Sequence, residues 1–305
     1  MSTAIVFNEY GKPEVLVPVE IQDPEAGAGQ VRVQVRAAGV QPFDTAWRRG
    51  DFAQWNPDTF PVRLGNEVAG VVDQVGPGVT GVAVGDEVIG FLDGTGYSSV
   101  VLLQADQLVQ KPAGMPWEEA GVLSASGQTA HTALDELRVG AGDVVLIHAA
   151  AGGVGSNAVQ IAKARGAVVI GTASERNHDY LRSLGAIPVT YGAGLVERVR
   201  AAAPDGVDAV FDAIGGEALD ASVEILDGNT ERAVTIADSW GGPRLGVRRI
   251  GTQRSAERLA ELVRLYTEGL LKVTVAKAVP LEKAPEAHQE VETGHVRGKV
   301  VLTVG

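Results

Sequence analysis

The chain has 305 residues, enough for about two domains and for a sizeable buried core. A formal net charge of −12 opposes binding to a phosphate backbone, and the absence of cysteine excludes disulfides, a thiol nucleophile and thiolate-bound zinc. No apolar run approaches the roughly 20 residues a bilayer span needs, and residues 1–6 lack the cationic start and apolar core of a secretory signal, so the expectation is a cytoplasmic protein with neither a membrane nor a nucleic-acid partner.

Residues 1 to about 110 read as a β-rich domain. Short strand-like runs cover 4–7, 31–35, 68–75, 87–91 and 97–103, separated by turns such as Gly76-Pro77-Gly78 and Gly85-Asp86. Residues 30–36 alternate apolar and polar side chains, the period of a half-buried strand. Residues 41–61 read as an irregular segment rich in aromatic side chains, either core packing or the wall of a cleft for a flat apolar ligand.

From about Trp117 the pattern turns helical, and Ser126, Gln128, Thr129 and His131 fall in a helix ahead of the stretch that organises the chain. That stretch is 144–166, V-V-L-I-H-A-A-A-G-G-V-G-S-N-A-V-Q-I-A-K-A-R-G: an apolar strand, a run of small residues, then a helix closed by Gly166. Ala150, Gly152 and Gly155 stand where G-x-G-x-x-G has its glycines, with Gly153 as an extra small residue and alanine in place of the first glycine. In the order strand, small-residue turn, helix, such a pattern brings bare backbone N–H groups and the positive helix end against a pyrophosphate. Strands over 167–172, 187–190, 207–213 and 232–236 then alternate with helices over 175–184, 195–203 and 217–226, which predicts a doubly wound parallel sheet. A helix over 255–268 and a strand–helix–strand over 273–279, 284–291 and 299–304 follow, the last pieces expected to rejoin the first domain.

The end of the strand after the fingerprint discriminates NAD from NADP. It reads G-T-A-S-E-R-N-H, and the Ser174 hydroxyl with the Arg176 guanidinium suits a ribose 2′-phosphate. Glu175, turned inward, would repel that phosphate and favour NAD; its other reading is the first turn of the next helix, where its charge is favourable. The expected cofactor is NADPH.

These residues resemble the medium-chain dehydrogenase/reductase superfamily, and more closely its zinc-independent quinone oxidoreductase-like branch. The run A-A-A-G-G-V-G-S-N-A-V-Q-I-A-K-A-R-G-A carries the likeness, with A-A-G-V-Q-P-F-D, L-G-N-E-V-A-G-V-V, V-G-D-E-V-I-G, S-G-Q-T-A and H-V-R-G-K-V-V-L. The resemblance implies an α/β chain: a GroES-like β-rich domain over 1–124, to which 270–305 returns, and a Rossmann NADP(H)-binding domain over 125–269. It implies a homodimer, and hydride transfer from NADPH to a small electron-poor substrate. It implies cofactor roles for Thr129, Ala150, Gly152, Gly153, Val154, Gly155, Ser174, Arg176 and Tyr191, with Ile214 and residues 235–238, Ala237 and Asp238 among them, flanking the nicotinamide.

The departures point away from metal. Zinc-dependent relatives carry Cys where this chain has Gln41 and His where it has Asn66, and neither replacement is a good zinc ligand. Glu67 is read as structural. The five histidines show no metal-ligand spacing, His288 and His295 are read as surface residues, and Arg48-Arg49 and Arg248-Arg249 as solvated pairs, so no metal is expected. Without metal, the reaction that needs least help is hydride addition to a quinone or an α,β-unsaturated carbonyl. Gln41 is then the candidate donor to the carbonyl oxygen, Asp44 a loop-holding or proton-relaying group, and Tyr97 a proton donor sitting in a strand pattern. Two alternatives stand beside this: a pathway-specific reductase of an enoyl thioester or natural-product alkene, and a non-catalytic NADPH-binding protein.

Overall fold

The computed structural model describes residues 1–55, 57–238 and 241–305, and these form two compact units. The first comprises Met1–Ala125, Arg254–Val263 and Val273–Gly305; the second comprises Ser126–Gln253 and Arg264–Lys272. Among the described residues no helix is long and apolar enough to cross a membrane.

The first unit is built on the strand Gln30–Val40. Its first half alternates as its sequence demands, with Val31, Val33 and Val35 buried; its second half, Ala37 to Val40, is buried throughout and uses small residues to be so. Glu67–Val75 pairs with it on one side, Lys299–Thr303 on the other, both antiparallel, and Val100–Gln104 pairs with its first half. The sheet continues outward through Val275–Pro280 at one end, and through Glu87–Phe91 and Leu108–Gln110 at the other. A second sheet joins Val17–Ile21, Ser2–Phe7 and Val62–Arg63. The chain's last strand is thus paired to its third, and a core containing Ile5, Val33, Val68, Val101, Leu281 and Val300 draws on both ends of the chain. Residues 254–263 also group with this unit; Arg254 donates to the Leu92 carbonyl at 2.9 Å, pairs with Asp93, and lies over the Phe91 ring.

Two segments differ from what their sequence predicts. Residues 41–61 are not irregular throughout: Pro42–Arg49 is a helix. Proline occupies its first position, the Asp44 carboxylate accepts from the Gln41 N–H at its start, and Gly50 closes it at φ +88°. The aromatic density of the segment masked these signals; Asn56, further along it, lies outside the described residues. Tyr97 is not in a strand either. It precedes Val100–Gln104 in a bend, its N–H bonded to the Leu64 carbonyl and its own carbonyl to the Ile5 N–H.

The second unit is a parallel sheet in the order Ile187–Thr190, Val168–Ala173, Val144–Ile147, Ala209–Asp212, Ala233–Thr235, Arg248–Arg249. Leu146, Ile170, Val189 and Val210 pack with Val199, Leu219 and Ile225 from the helices, which is why these strands read as nearly unbroken apolar runs. The sixth strand escapes a sequence reading because it is two exposed arginines with no apolar signal. The strand order reverses between Val144–Ile147 and Ala209–Asp212, and an open sheet of this kind has its ligand crevice at the carboxyl ends of the strands there.

Candidate functional site

In the second unit, Val144–Ile147 runs into a turn whose Ala149 has φ +51°, and the helix Gly153–Ala164 begins with Gly152 as its N-cap. No side chain caps this helix, so its first-turn N–H groups point into the turn without a side-chain acceptor. Gly152, Gly153 and Val154 are half-buried, and Gly155 is buried. A Cβ on Gly155 would collide with the Ala149 carbonyl oxygen and stand 2.7 Å from the Ala150 Cα, so only glycine lets the helix sit this close to the strand end. The alanine in place of the first glycine is also explained. A Cβ on Gly171 would lie 2.8 Å from the Ala150 methyl, so the neighbouring strand leaves room for it. The result is a backbone cradle of the kind that fits a pyrophosphate.

Parallel pairing of Ala173 with Thr190 puts the next residues, Ser174 and Tyr191, at neighbouring strand ends. Ser174 accepts from the Asn177 amide at 3.3 Å, and Tyr191 is 53% exposed. Arg198 moulds the loop that carries Tyr191, donating to the Thr190 carbonyl at 3.0 Å and the Ala193 carbonyl at 2.8 Å. Arg176 is exposed beside Ser174, with no ion pair among the described residues, and Glu175 opens the short helical turn there. Thr129 lies on Ser124–Glu136, its hydroxyl 2.6 Å from that of Thr252. Ile214 is 60% exposed, Ala237 is exposed and Asp238 half-buried on the loops after Ala209–Asp212 and Ala233–Thr235. His148, wholly buried at the crevice, has its pKa lowered to about 4 by burial. The Ser222 hydroxyl donates to the Ala218 carbonyl, so His148 Nε2 must donate to Ser222 Oγ, and its Nδ1 accepts from the Thr172 hydroxyl.

The first unit holds a second cluster, entirely of side chains. Glu67 is fully buried in a slot over Gly39, where a Cβ would stand 2.6 Å from its carboxyl carbon. Its oxygens accept from Lys299 Nζ at 3.2 Å, the Ala125 N–H at 2.6 Å and the Gln41 amide nitrogen. Lys299 Nζ also donates to Gln41 Oε1 at 2.5 Å and the Val40 carbonyl at 3.2 Å. An ammonium on one side and a carboxylate on the other fix the Gln41 amide orientation, leaving a single N–H beyond the Glu67 bond. Asp44, 1% exposed, accepts from the Gln41 N–H at 2.9 Å and Tyr97 Oη at 3.1 Å, with Asn66 Nδ2 at 3.3 Å. Burial raises its pKa to about 6 against the pull of those donors and of Lys299.

Tyr97 Oη lies 3.2 Å from His288 Nε2. Burial and the adjacent Asp44 charge push the phenol pKa well above its ordinary value. Burial, with the nearby Arg48 and Arg49 charges, lowers His288 to about 3. With Asp44 ionised, Tyr97 donates to it and His288 donates to Tyr97; with Asp44 protonated the chain can run the other way. His288 and Arg48 correct the sequence expectation of surface positions: both are fully buried. Ala284, Ala287 and His288 share the packed face of Ala284–Glu292, a helical spacing legible in the sequence, and Arg48 pairs with Glu292 on that helix and with the Gly11 carbonyl at 2.8 Å.

This donor set does not fit a metal ion. The Gln41 carbonyl and Glu67 carboxylate already face an ammonium, and a divalent cation beside Lys299 Nζ would be repelled. No group of three or more potential ligands that could hold a metal occurs among the described residues.

The second unit's parallel sheet and bare turn define a dinucleotide-binding α/β architecture. Residues 27–124 match the family model of the alcohol dehydrogenase GroES-like domain, and 184–302 match that of the zinc-binding dehydrogenase. Quinone oxidoreductase 1 of Escherichia coli is 32% identical over 99% of both chains. Polyketide synthase GfsB of Streptomyces halstedii is 37% identical over 95% of this chain, which spans 5% of that much longer protein. Among solved structures, E. coli quinone oxidoreductase complexed with NADPH superposes with a TM-score of 0.86 at 28% identity, covering 99% of this chain and all of that one. The CurK enoyl reductase superposes with a TM-score of 0.90 at 28% identity, covering all of this chain and 99% of that one. The chain belongs to the medium-chain dehydrogenase/reductase superfamily and is a quinone oxidoreductase-like oxidoreductase.

Proposed function

We propose that this oxidoreductase uses NADPH to reduce a quinone or an α,β-unsaturated carbonyl without a metal ion. The observation that carries the reading is the cradle at Ala149 to Gly155, closed to any side chain at Gly155, with Ser174, Arg176 and Tyr191 at the neighbouring strand ends. Bound NADPH supplies the hydride. The first-turn N–H groups of Gly153–Ala164 hold the pyrophosphate, and Ser174 with Arg176 holds the 2′-phosphate. The free N–H of Gln41 serves the substrate carbonyl oxygen, where negative charge develops. Asp44, Tyr97 and His288 exchange a proton along their hydrogen-bond chain, and the donor set of this cluster makes turnover indifferent to chelators. The protein works as a homodimer in this reading.

A second reading, reduction of an enoyl thioester, is favoured by the likeness to the CurK enoyl reductase and to a polyketide synthase. Loss of reduced-nicotinamide absorbance with a quinone, an enone and an enoyl thioester tests both. Turnover of the first two carries the main reading; turnover of the thioester alone carries the second. NADPH binding with no turnover of any of them leaves a nucleotide-binding protein, and no binding overturns the proposal. Light scattering on the eluting protein tests the dimer.

A further inference from the structure

The second unit holds a fully buried carboxylate, Asp212, at the carboxyl end of the strand beside the crevice. All of its described hydrogen-bond partners are donors. Oδ1 accepts from the N–H groups of Ile214 at 3.1 Å and Gly215 at 3.0 Å; Oδ2 accepts from Gly215 at 3.0 Å and from the Thr235 hydroxyl at 2.6 Å. Thr235 is paired with Asp212 in register and is equally buried. While its hydroxyl donates to Asp212, the Thr235 oxygen accepts from the N–H groups of Ala237 and Asp238, both at 3.2 Å. Asp238 reaches back, accepting from the Gly216 N–H at 3.2 Å. Two successive loops, 213–216 and 236–238, are therefore tied to one carboxylate and to each other. Gly215 and Gly216, at φ +78° and +61°, make the first loop compact enough to be wrapped in this way.

We infer that Asp212 is a positioning residue for the nicotinamide half of the cofactor, acting through Thr235 and the two loops. The inference rests on the NADPH reading above. A doubly wound sheet binds a dinucleotide across its two halves, one nucleotide to each. The fingerprint turn and Ser174 lie on the half containing Val144–Ile147, Val168–Ala173 and Ile187–Thr190, which takes the adenosine end. Asp212 governs the loops of the other half, and those loops display Ile214, Ala237 and Asp238. A neutral side chain of the same shape would not serve. Asparagine must turn an NH₂ group toward the Gly215 N–H or the Thr235 hydroxyl, setting donor against donor.

The test compares two ligands on purified protein, NADPH and 2′,5′-ADP, the second carrying only the adenosine and phosphate features. In Asp212→Asn the Kd for NADPH rises at least tenfold while that for 2′,5′-ADP stays within twofold, and the emission of bound NADPH shifts toward its value in free solution. Thr235→Val keeps Asp212 bonded within its own loop and severs the link to the second; it shows the same selective loss, smaller, and decides the matter if the first variant does not fold. Thr235→Ser, which retains the hydroxyl, restores NADPH affinity. Equal weakening of both ligands, or unchanged NADPH affinity in a folded variant, overturns the positioning role. Failure of the unsubstituted protein to bind either ligand overturns instead the NADPH reading beneath it.

Discussion

The fingerprint turn of the second unit and the buried cluster of the first reach opposite solutions to holding charge. The turn removes side chains. Ala149 to Gly155 present backbone, and the collision that a Cβ at Gly155 would make with Ala149 shows how little space is left over. The cluster does the reverse, enclosing Asp44, Glu67 and Lys299 away from water and satisfying them with one another and with Gln41, Tyr97 and the backbone. A backbone cradle keeps its donors whatever the surrounding charges do. A buried side-chain network depends on every member, because each one removed strands another.

The sharpest way to break this contrast is at Lys299. Lys299→Met leaves the fully buried Glu67 without its cation and should cost about 3–5 kcal/mol of folding stability, read from urea unfolding. Adding Glu67→Gln should recover much of that loss; a double variant no better than the single one would show that the pair is not coupled. At the cradle, Gly155→Ala forces the helix off the strand end. Overpacking of this kind costs roughly 1–3 kcal/mol, and NADPH affinity should fall about a hundredfold, the equivalent of ~2.7 kcal/mol. Titration calorimetry would show it, and unchanged affinity would remove the cradle from the cofactor site.

Arg176→Ala should weaken NADPH about tenfold, the equivalent of ~1.4 kcal/mol, and leave NADH unchanged, narrowing the preference that fluorescence titration reports. Equal NADPH affinity in variant and unsubstituted protein would end its assignment to the 2′-phosphate.

The smallest effect is in the pH dependence of stability. His148, held near 4, and His288, held near 3, refuse protons that the unfolded chain takes up near 6.5, so stability is lost as pH falls through that window. Asp44, raised to about 6 from 3.8, does the opposite: the folded chain binds its proton first, which favours the fold as pH falls between those values. The Asp44 contribution partly offsets the two histidines, and Asp44→Asn should steepen the acid loss of stability by up to ~1.4 kcal/mol per pH unit. Urea midpoints at pH 6 and about pH 5 measure it, and identical slopes would place the Asp44 titration elsewhere.

The two sites also differ in how far they could be read in advance. The turn is contiguous, so its strand, small residues and helix follow one another in the sequence, and the backbone chemistry follows from the absence of side chains. The alternation of strands and helices gave the parallel sheet for the same reason, since a strand buried on both faces must be apolar along its length. The cluster gathers positions 41, 44, 67, 97, 288 and 299, and no local pattern ties them together. Gln41 and Asp44 were legible as polar candidates, and Glu67 as structural. The burial of Arg48 and His288 was not, although the spacing of Ala284, Ala287 and His288 carried half of that message.

By itself the sequence determined the α/β class, the fingerprint turn, the family, and the chemistry open to a chain without cysteine. Each rests on local periodicity or on the presence or absence of particular side chains. The tertiary structure decided that the last strand pairs with the third, that Gly171 makes room for Ala150, and that an ammonium lies between Gln41 and Glu67. It also decided that Asp212 binds two loops into one surface. Those features arise from contacts between residues far apart in the chain, and burial, which sets their strength, exists only once the chain has folded.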